Sequence, residues 1–255
     1  MEQPERIQKV LARAGHGSRR EIETWVRAGR VQVNGKLAEL GVPISVSDKV
    51  MLDGKRLRLG PANVKPRVIA LHKPVGVICS KKAERGERTI YSLLPRVERA
   101  RWVSVGRLDI NTSGLILFTN HGELANRLMH PRYRVDREYA VRVYGQVGSE
   151  ALQNMRDGVE IDGEKYRLAD IVLGDDHESP GSNKWYYCVV RQGRNREVRK
   201  IWESQGVQVS RLARTRFANV VLPRNLKIGG FKDIEGVMLT DLYELVGLKV
   251  PVSIT

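Results

Sequence analysis

Four consecutive apolar residues, Leu115-Ile116-Leu117-Phe118, follow Ser113-Gly114 and precede Thr119-Asn120. Successive side chains of a strand point to opposite faces, so an unbroken apolar run reads as a strand buried on both sides. Just upstream, Asp109 lies between Leu108 and Ile110, with Arg107 two positions before it. An ionised carboxylate among apolar neighbours is costly unless something pairs with it. The local sequence allows two readings of Asp109. One is an Asx-type turn residue; the other is a nucleophile or base on a loop held by a rigid sheet.

At 255 residues the chain exceeds the usual length of one domain, so two domains are expected. No apolar run approaches the roughly 18 residues of a membrane-spanning helix. The start, MEQPERIQK, has no apolar stretch of the kind a signal peptide needs. Cys79 and Cys188 lie far apart, which supports neither a disulfide scaffold nor a cysteine zinc site. A cytosolic protein is expected. The 44 basic residues against 29 acidic ones leave a net charge of +15. That excess implies a polyanionic partner, and its spread through folded-looking segments favours nucleic acid over a membrane.

Ile7, Val10, Leu11 and Ala14 recur at helical spacing, so 5–14 reads as an amphipathic helix ended by Gly15-His16-Gly17. Ser18-Arg19-Arg20-Glu21 is a capping box opening a second helix, with Ile22, Trp25 and Val26 inward and an end near Gly29. Asn34-Gly35 between Val31–Val33 and Lys36-Leu37 predicts a hairpin, and 49–52 and 55–59 flank Asp53-Gly54 as two more strands. GHGSRR lacks a third glycine and a preceding strand, so it is no dinucleotide loop. Arg19 and Arg20 oppose the dipole of the helix they begin, which suggests phosphate contact rather than a solvated first turn.

Gly60 to Pro66 reads as a joint. Beyond it the expected elements are a strand from 68 to 71, a turn at 72–76, a charged loop at 80–88 and a strand at 102–105. A helix at 122–129 stops before Pro131, followed by a strand at 138–144, a helix at 150–157, a polar loop at 174–183 and a strand at 185–191. Many strands, few helices and no regular βαβ alternation predict an α+β fold with a mixed, largely antiparallel sheet.

Two further segments carry chemistry. In a strand, Tyr139, Val141 and Val143 share one face; Tyr139 reads either as core or as a platform for a base. In Gln192-Gly193-Arg194-Asn195-Arg196-Glu197-Val198-Arg199-Lys200-Ile201-Trp202, a strand ends at Gly193 and Asn195 is the expected N-cap of a helix. Residues 191–216 hold eight basic and two acidic side chains. Arg199 lies near the apolar Val198/Trp202 face, so an Asp109–Arg199 pair would satisfy both charges.

The run QKVLARAGHGSRREIETWVRAGRVQVNGK resembles an S4 RNA-binding domain. The resemblance implies that Lys9, Arg13, Arg19, Arg20, Arg30 and Lys36 face RNA. GRLDINTSGLILFTNHGELANRLMHP, REYAVRVYG and QGRNREVRKIWE, in that order after such a module, resemble the RsuA-type branch of the pseudouridine synthases, and within it the bacterial large-subunit ribosomal RNA group. That implies three parts: an S4-like domain at 1–60, a linker at 61–66 and a catalytic domain at 67–255. It also implies an isomerase without cofactor or metal, working on a flipped-out uridine of 23S ribosomal RNA near the peptidyl-transferase region; a monomer is expected on a separate ground, because no extended apolar helix face is left over. Asp109 is then the catalytic aspartate, attacking base or sugar or removing a sugar proton. Tyr139 stacks on the base and assists proton removal, and Arg199 pairs with the aspartate. Arg107 fills the space left by the flipped nucleotide, Leu212 contacts the base, and Arg194 and Arg196 bind substrate. Relatives can carry a basic C-terminal tail; the sequence here ends at PVSIT. Rival readings are a non-catalytic RNA-binding or assembly protein, an S4-linked methyltransferase (disfavoured by the lack of a glycine-rich loop after an early strand), and a small-subunit or transfer-RNA target.

Overall fold

The computed structural model describes residues 4–59, 64–81, 86–97, 100–174 and 183–251. The first module contains β1 (Glu5–Arg6), α1 (Ile7–Arg13), α2 (Arg19–Arg27), β2 (Val31–Val33), β3 (Lys36–Leu37), β4 (Pro43–Ile44), β5 (Val50–Leu52) and β6 (Lys55–Leu57). The first helix starts two residues later than its periodicity predicts, because Glu5 and Arg6 pair with Ile44 and Pro43. At α2 the capping box forms as expected: Ser18 Oγ accepts from the Glu21 amide at 3.1 Å, and Glu21 accepts from the Ser18 amide at 3.2 Å. Asn34-Gly35 and Asp53-Gly54 both turn with positive φ, at 50°, 84°, 48° and 76°. Two residues of that conformation match the twist of the strands they join. They order the small sheet as β3-β2-β5-β6. Ile7, Leu11, Ile22, Val26, Val31 and Val50 form its buried core.

The larger unit begins with β7 (Val68–Lys73), β8 (Val77–Ile78), β9 (Arg88–Thr89), β10 (Val103–Val105), β11 (Ser113–Thr119) and α3 (Gly122–Met129). It continues through β12 (Arg137–Tyr144), α4 (Ser149–Asp157), β13 (Val159–Ile161), β14 (Glu164–Tyr166), β15 (Asp170–Leu173), β16 (Asn183–Val190) and α5 (Glu197–Glu203). It closes with β17 (Val209–Phe217), β18 (Val220–Val221), β19 (Phe231–Ile234) and α6 (Gly236–Glu244). Arg101 of this unit donates to the Gly17 carbonyl at 3.0 Å, and a Cβ on Gly15 would stand 3.2 Å from the Ala100 carbonyl oxygen. The two units therefore meet at the GHG turn.

The α+β reading stands, with a nine-stranded sheet in the order β15-β16-β12-β17-β11-β7-β19, to which β10 and β18 add at β11 and β17. Several elements depart from expectation. β7 runs on through His72 and Lys73, which the sequence assigned to a turn. The β13–β14 hairpin, turning at Asp162-Gly163, was legible as a DG signal but not read. β17 was hidden because buried Arg214 interrupts its apolar alternation. β19 and α6 were not anticipated. Most of the 174–183 loop, the start of the 60–66 joint, residues 82–85 of the charged loop and the last four residues of the PVSIT end lie outside the described residues. Among the described residues, no helix is long and apolar enough to cross a membrane.

The apolar run Leu115–Phe118 is buried on both faces, as its pattern predicts. Leu115 and Leu117 enter one core with Leu124, Leu128, Leu242 and Tyr243, while Ile116 and Phe118 enter another with Val77, Ile90, Trp102 and Leu108. A third core, with Val141, Tyr186, Cys188, Ile201 and Trp202, lies under the β12–β16 half of the sheet. Where the halves join, β11 and β17 run parallel and match only at Ser113↔Ala213 and Gly114↔Arg214. Gly114 has φ +101°, and a Cβ on it would stand 2.3 Å from the Arg214 carbonyl oxygen. Only glycine permits that approach.

Candidate active site

The loop before β11 reaches the seam at residues 109–112. Its backbone closes as a turn, with the Thr112 amide donating to the Asp109 carbonyl at 3.0 Å. Two buried cations hold this turn by its carbonyls. Lys73 Nζ, at the end of β7, donates to Thr112 O at 2.8 Å, Asp109 O at 3.1 Å and Ile110 O at 3.5 Å. Arg199, on α5, donates to Asn111 O at 3.2 Å and to Val209 O at 3.0 Å. All four carbonyls of the turn thus face a cation.

The expected Asp109–Arg199 ion pair is not formed. Arg199 is buried as predicted, but its guanidinium is taken up by backbone carbonyls behind the turn, and its Nε has no partner. Its link to Asp109 is through charge. Burial, with Arg196 nearby, pushes the Arg199 pKa down, and Asp109 and Glu203 oppose that shift. Burial likewise lowers the Lys73 pKa, opposed by Cys79 and Asp109. Asp109 itself is partly exposed, and of its apolar flanks only Leu108 is buried; Ile110 is 50% exposed. The carboxylate therefore faces out of the core, into a cavity of about 440 Å³.

Tyr139 lines the same cavity. It sits at a register shift in β12, paired with Arg214 of β17 and Cys188 of β16, and it packs against the cores of both halves of the sheet. Leu212, almost fully buried, adds an apolar wall. Arg107 is exposed at the mouth, beside Gly106, whose φ is +81°. Arg194 and Arg196 also line the cavity, but both are tethered. Arg194 pairs with Glu164 at 2.9 Å and lies 4.6 Å from the Tyr166 ring centroid; Arg196 pairs with Glu203 at 3.6 Å. The cavity thus gathers Asp109, Tyr139, Arg107, Leu212, Arg194 and Arg196, and leaves Arg199 behind its wall.

The Asn195 cap is not used. The residue before α5 is Arg196, in the left-handed region at φ 50°, with no side-chain cap. Instead Glu197, only 3% exposed, turns back to accept from the Gly193 amide at 2.7 Å and the Arg194 amide at 3.2 Å. Burial pushes its pKa up, against those amides and the charges of Arg137 and Arg194. Lys73 and Glu197 are among the site residues that sequence reasoning missed, as are Arg137 and Arg214 of the cavity wall. A lysine ending the apolar strand VIALHK was the available signal for Lys73; an acidic residue within a basic loop was the signal for Glu197.

On the first module, the six candidate RNA contacts divide. Lys9 and Arg13 both pair with Glu5, and Arg30 pairs with Asp53. Arg19, Arg20 and Lys36 are exposed and form no ion pair with any described residue.

A family model described as RNA pseudouridylate synthase matches residues 67–204, and a model of the S4 domain matches residues 5–58. The chain is 48% identical over 251 residues to the Ribosomal large subunit pseudouridine synthase B of Pseudomonas aeruginosa, covering 98% of this chain and 64% of that protein. It is 49% identical over 247 residues to the protein of the same name from Haemophilus influenzae (96% and 68% covered). For that from Escherichia coli the identity is 47% over 247 residues (96% and 84% covered). The chain thus spans less than two thirds of the Pseudomonas protein, and all three relatives are longer. A crystal structure of a pseudouridylate synthase superposes with a TM-score of 0.63 at 23% identity, over 94% of this chain and 99% of that one, a likeness of fold. Matched by the family model over more than half its length, and nearly half identical to these relatives, the chain belongs to the RNA pseudouridylate synthase family and carries an S4 domain ahead of that family's domain.

Proposed function

We propose that this chain isomerises one uridine of large-subunit ribosomal RNA to pseudouridine, near the peptidyl-transferase region, with Asp109 as the catalytic carboxylate. The observation that carries this reading is the placement of Asp109. Its turn is clamped by Lys73 and Arg199, yet its carboxylate makes no hydrogen bond or ion pair with a described residue and faces the cavity beside Tyr139. A turn residue serving structure alone would spend its carboxylate on the local backbone. The names of the relatives support ribosomal RNA of the large subunit as substrate, and the net charge of +15 and the S4 domain support an RNA partner.

In this reading a uridine is flipped into the cavity, its base stacked on Tyr139 and against Leu212, while Arg107 at the mouth takes the place it leaves. Asp109 then attacks the base or the sugar, or removes a sugar proton, from a turn whose carbonyls are held by Lys73 and Arg199. Arg194 and Arg196 face the strand at the rim; Arg19, Arg20 and Lys36 bind phosphates at a distance. The two tethered arginines would exchange an acidic partner for phosphate. The protein acts as a cytoplasmic monomer on ribosomal RNA, free or in a pre-ribosomal particle.

The test is a carbodiimide primer-extension map of both ribosomal RNAs from cells holding either the native protein or Asp109→Asn. Loss of a single stop in 23S RNA is the expected result. Unchanged maps would reject both the target and the role of Asp109.

A further inference from the structure

Arg214 is 2% exposed and yet lines the cavity that holds Asp109 and Tyr139. Its Nε donates to the Leu115 carbonyl at 2.7 Å, and its guanidinium carbon lies 5.2 Å from the centroid of the Phe217 ring. These contacts fix the group. Its Nη2 is buried and has no hydrogen-bond partner. A buried charged donor left unmade is costly, and a fold that keeps one at a cavity wall gains from it only when an acceptor arrives. Arg137, the other buried arginine of this wall, differs: it donates to the carbonyls of Val135, Arg191 and Leu128 and is committed to backbone.

The position of Arg214 is set by both neighbours of β17. It pairs with Tyr139 on one side and with Gly114 on the other, where the missing Cβ lets the strands close. The unused donor is therefore built into the same seam as the ring expected to stack on the base.

We infer that Arg214 is a further catalytic residue, whose guanidinium donates to a carbonyl oxygen of the target uracil and stabilises the negative charge that develops there. The inference rests on the proposed isomerisation at this cavity. In that reaction the N1–C1′ bond breaks and its electron pair passes to the uracil, where the charge spreads onto O2 and O4. After the base turns, C5 bonds to C1′, C5 gives up its proton and N1 gains one, so nothing is added or lost overall. If the carboxylate instead adds at C6, charge again collects on a carbonyl oxygen. A rigid donor in a water-poor wall acts where charge develops, and removing one such donor slows catalysis by about 100-fold or more.

The experiment uses RNA with uridine, 2-thiouridine or 4-thiouridine at the target position and single-turnover rates for the native chain, Arg214→Gln, Arg214→Met and Asp109→Asn. Arg214→Gln is expected to be about 100-fold slower on uridine, with RNA affinity and melting temperature close to native. Sulfur in place of the contacted oxygen should slow the native chain and cost the Gln variant nothing more. If the Gln variant does not fold, Arg214→Met, which fills similar volume without a donor, gives the same comparison. Equal thio effects in native and variant chains, or a variant rate within about twofold of native, would overturn the inference. With Asp109→Asn inactive, such a result rejects the role of Arg214 alone; an active Asp109→Asn rejects the site and the inference with it.

Discussion

Lys73 Nζ lies 3.1 Å from the backbone carbonyl oxygen of Asp109, joining the end of β7 to the turn that presents the candidate catalytic carboxylate. Because Lys73 holds the main chain and not the side chain, it fixes where Asp109 stands and leaves its oxygens open to the cavity. Arg199 does the same for Asn111 from α5. Position and charge are thus supplied together, by groups the substrate need not touch.

Replacing Lys73 with Met removes four backbone contacts, three of them to the turn, and a buried charge at once. Turnover should fall at least tenfold, since misplacing a reacting group by about 1 Å costs up to 100-fold, while RNA affinity stays near native. Single-turnover rates beside filter-binding measurements separate the two; native turnover in Lys73→Met would show that the turn holds itself.

For Arg199→Ala the expected loss is that of charge-assisted hydrogen bonds to two carbonyls, about 1.5–3 kcal/mol each before relaxation. Breaking a buried ion pair would cost more, about 3–5 kcal/mol, but no such pair with Asp109 exists. Denaturant melts decide the matter. A midpoint equal to native would mean that the carbonyls find water instead.

Glu197→Gln keeps an acceptor for the Gly193 and Arg194 amides and removes a charge that burial disfavours. The folded-state pKa of Glu197 lies above its usual value, so stability from this group is lost as pH rises through that folded value. The Gln variant should melt at or above the native temperature near neutral pH, and Glu197→Ala, which strands two amides, below it. A Gln variant less stable than the Ala variant would contradict this account.

His121 stacks on Tyr243, with ring centroids 5.6 Å apart, and its Nδ1 lies 3.0 Å from the Tyr243 hydroxyl. Burial lowers its pKa below the usual 6.5. The unfolded chain then binds more protons just below that pH, so stability falls as pH drops through 6.5 toward the folded-state value. Comparing melts of native and His121→Gln at about pH 7.5 and about pH 5.5 should show a smaller acid loss in the variant. Identical losses would place the acid sensitivity elsewhere.

Arg19 and Arg20 form no ion pair with a described residue, whereas Lys9, Arg13 and Arg30 are engaged with Glu5 and Asp53. Alanines at 19 and 20 together should weaken RNA binding and flatten its dependence on salt by about 1–2 in log–log slope. Alanine at Arg30 should change the slope less. The reverse order would mean that RNA displaces Asp53 and takes Arg30 first.

By itself the sequence determined what depends on near neighbours. The capping box at Ser18 and Glu21, the turns at Asn34-Gly35 and Asp53-Gly54, and the strand buried on both faces at 115–118 all rest on residues a few positions apart, and all formed. The motifs around Asp109, Tyr139 and Arg199, read together, marked the family. Local pattern failed where a strand hides a charge: Lys73 ends β7 and Arg214 breaks the alternation of β17, because both are buried against groups far away in the chain.

The tertiary structure alone decided how those charges are used. Asp109 and Arg199 were matched as opposite charges, but pairing also needs direction: the first residues of α5 line the cavity, while the Arg199 guanidinium lies behind the turn on the Asn111 and Val209 carbonyls. The sheet order β12-β17-β11-β7 brings Lys73 under the turn and leaves Nη2 of Arg214 unpartnered in the wall. Charge can be counted along a chain; which carbonyl or carboxylate meets it follows from register and from the close approach at Gly114.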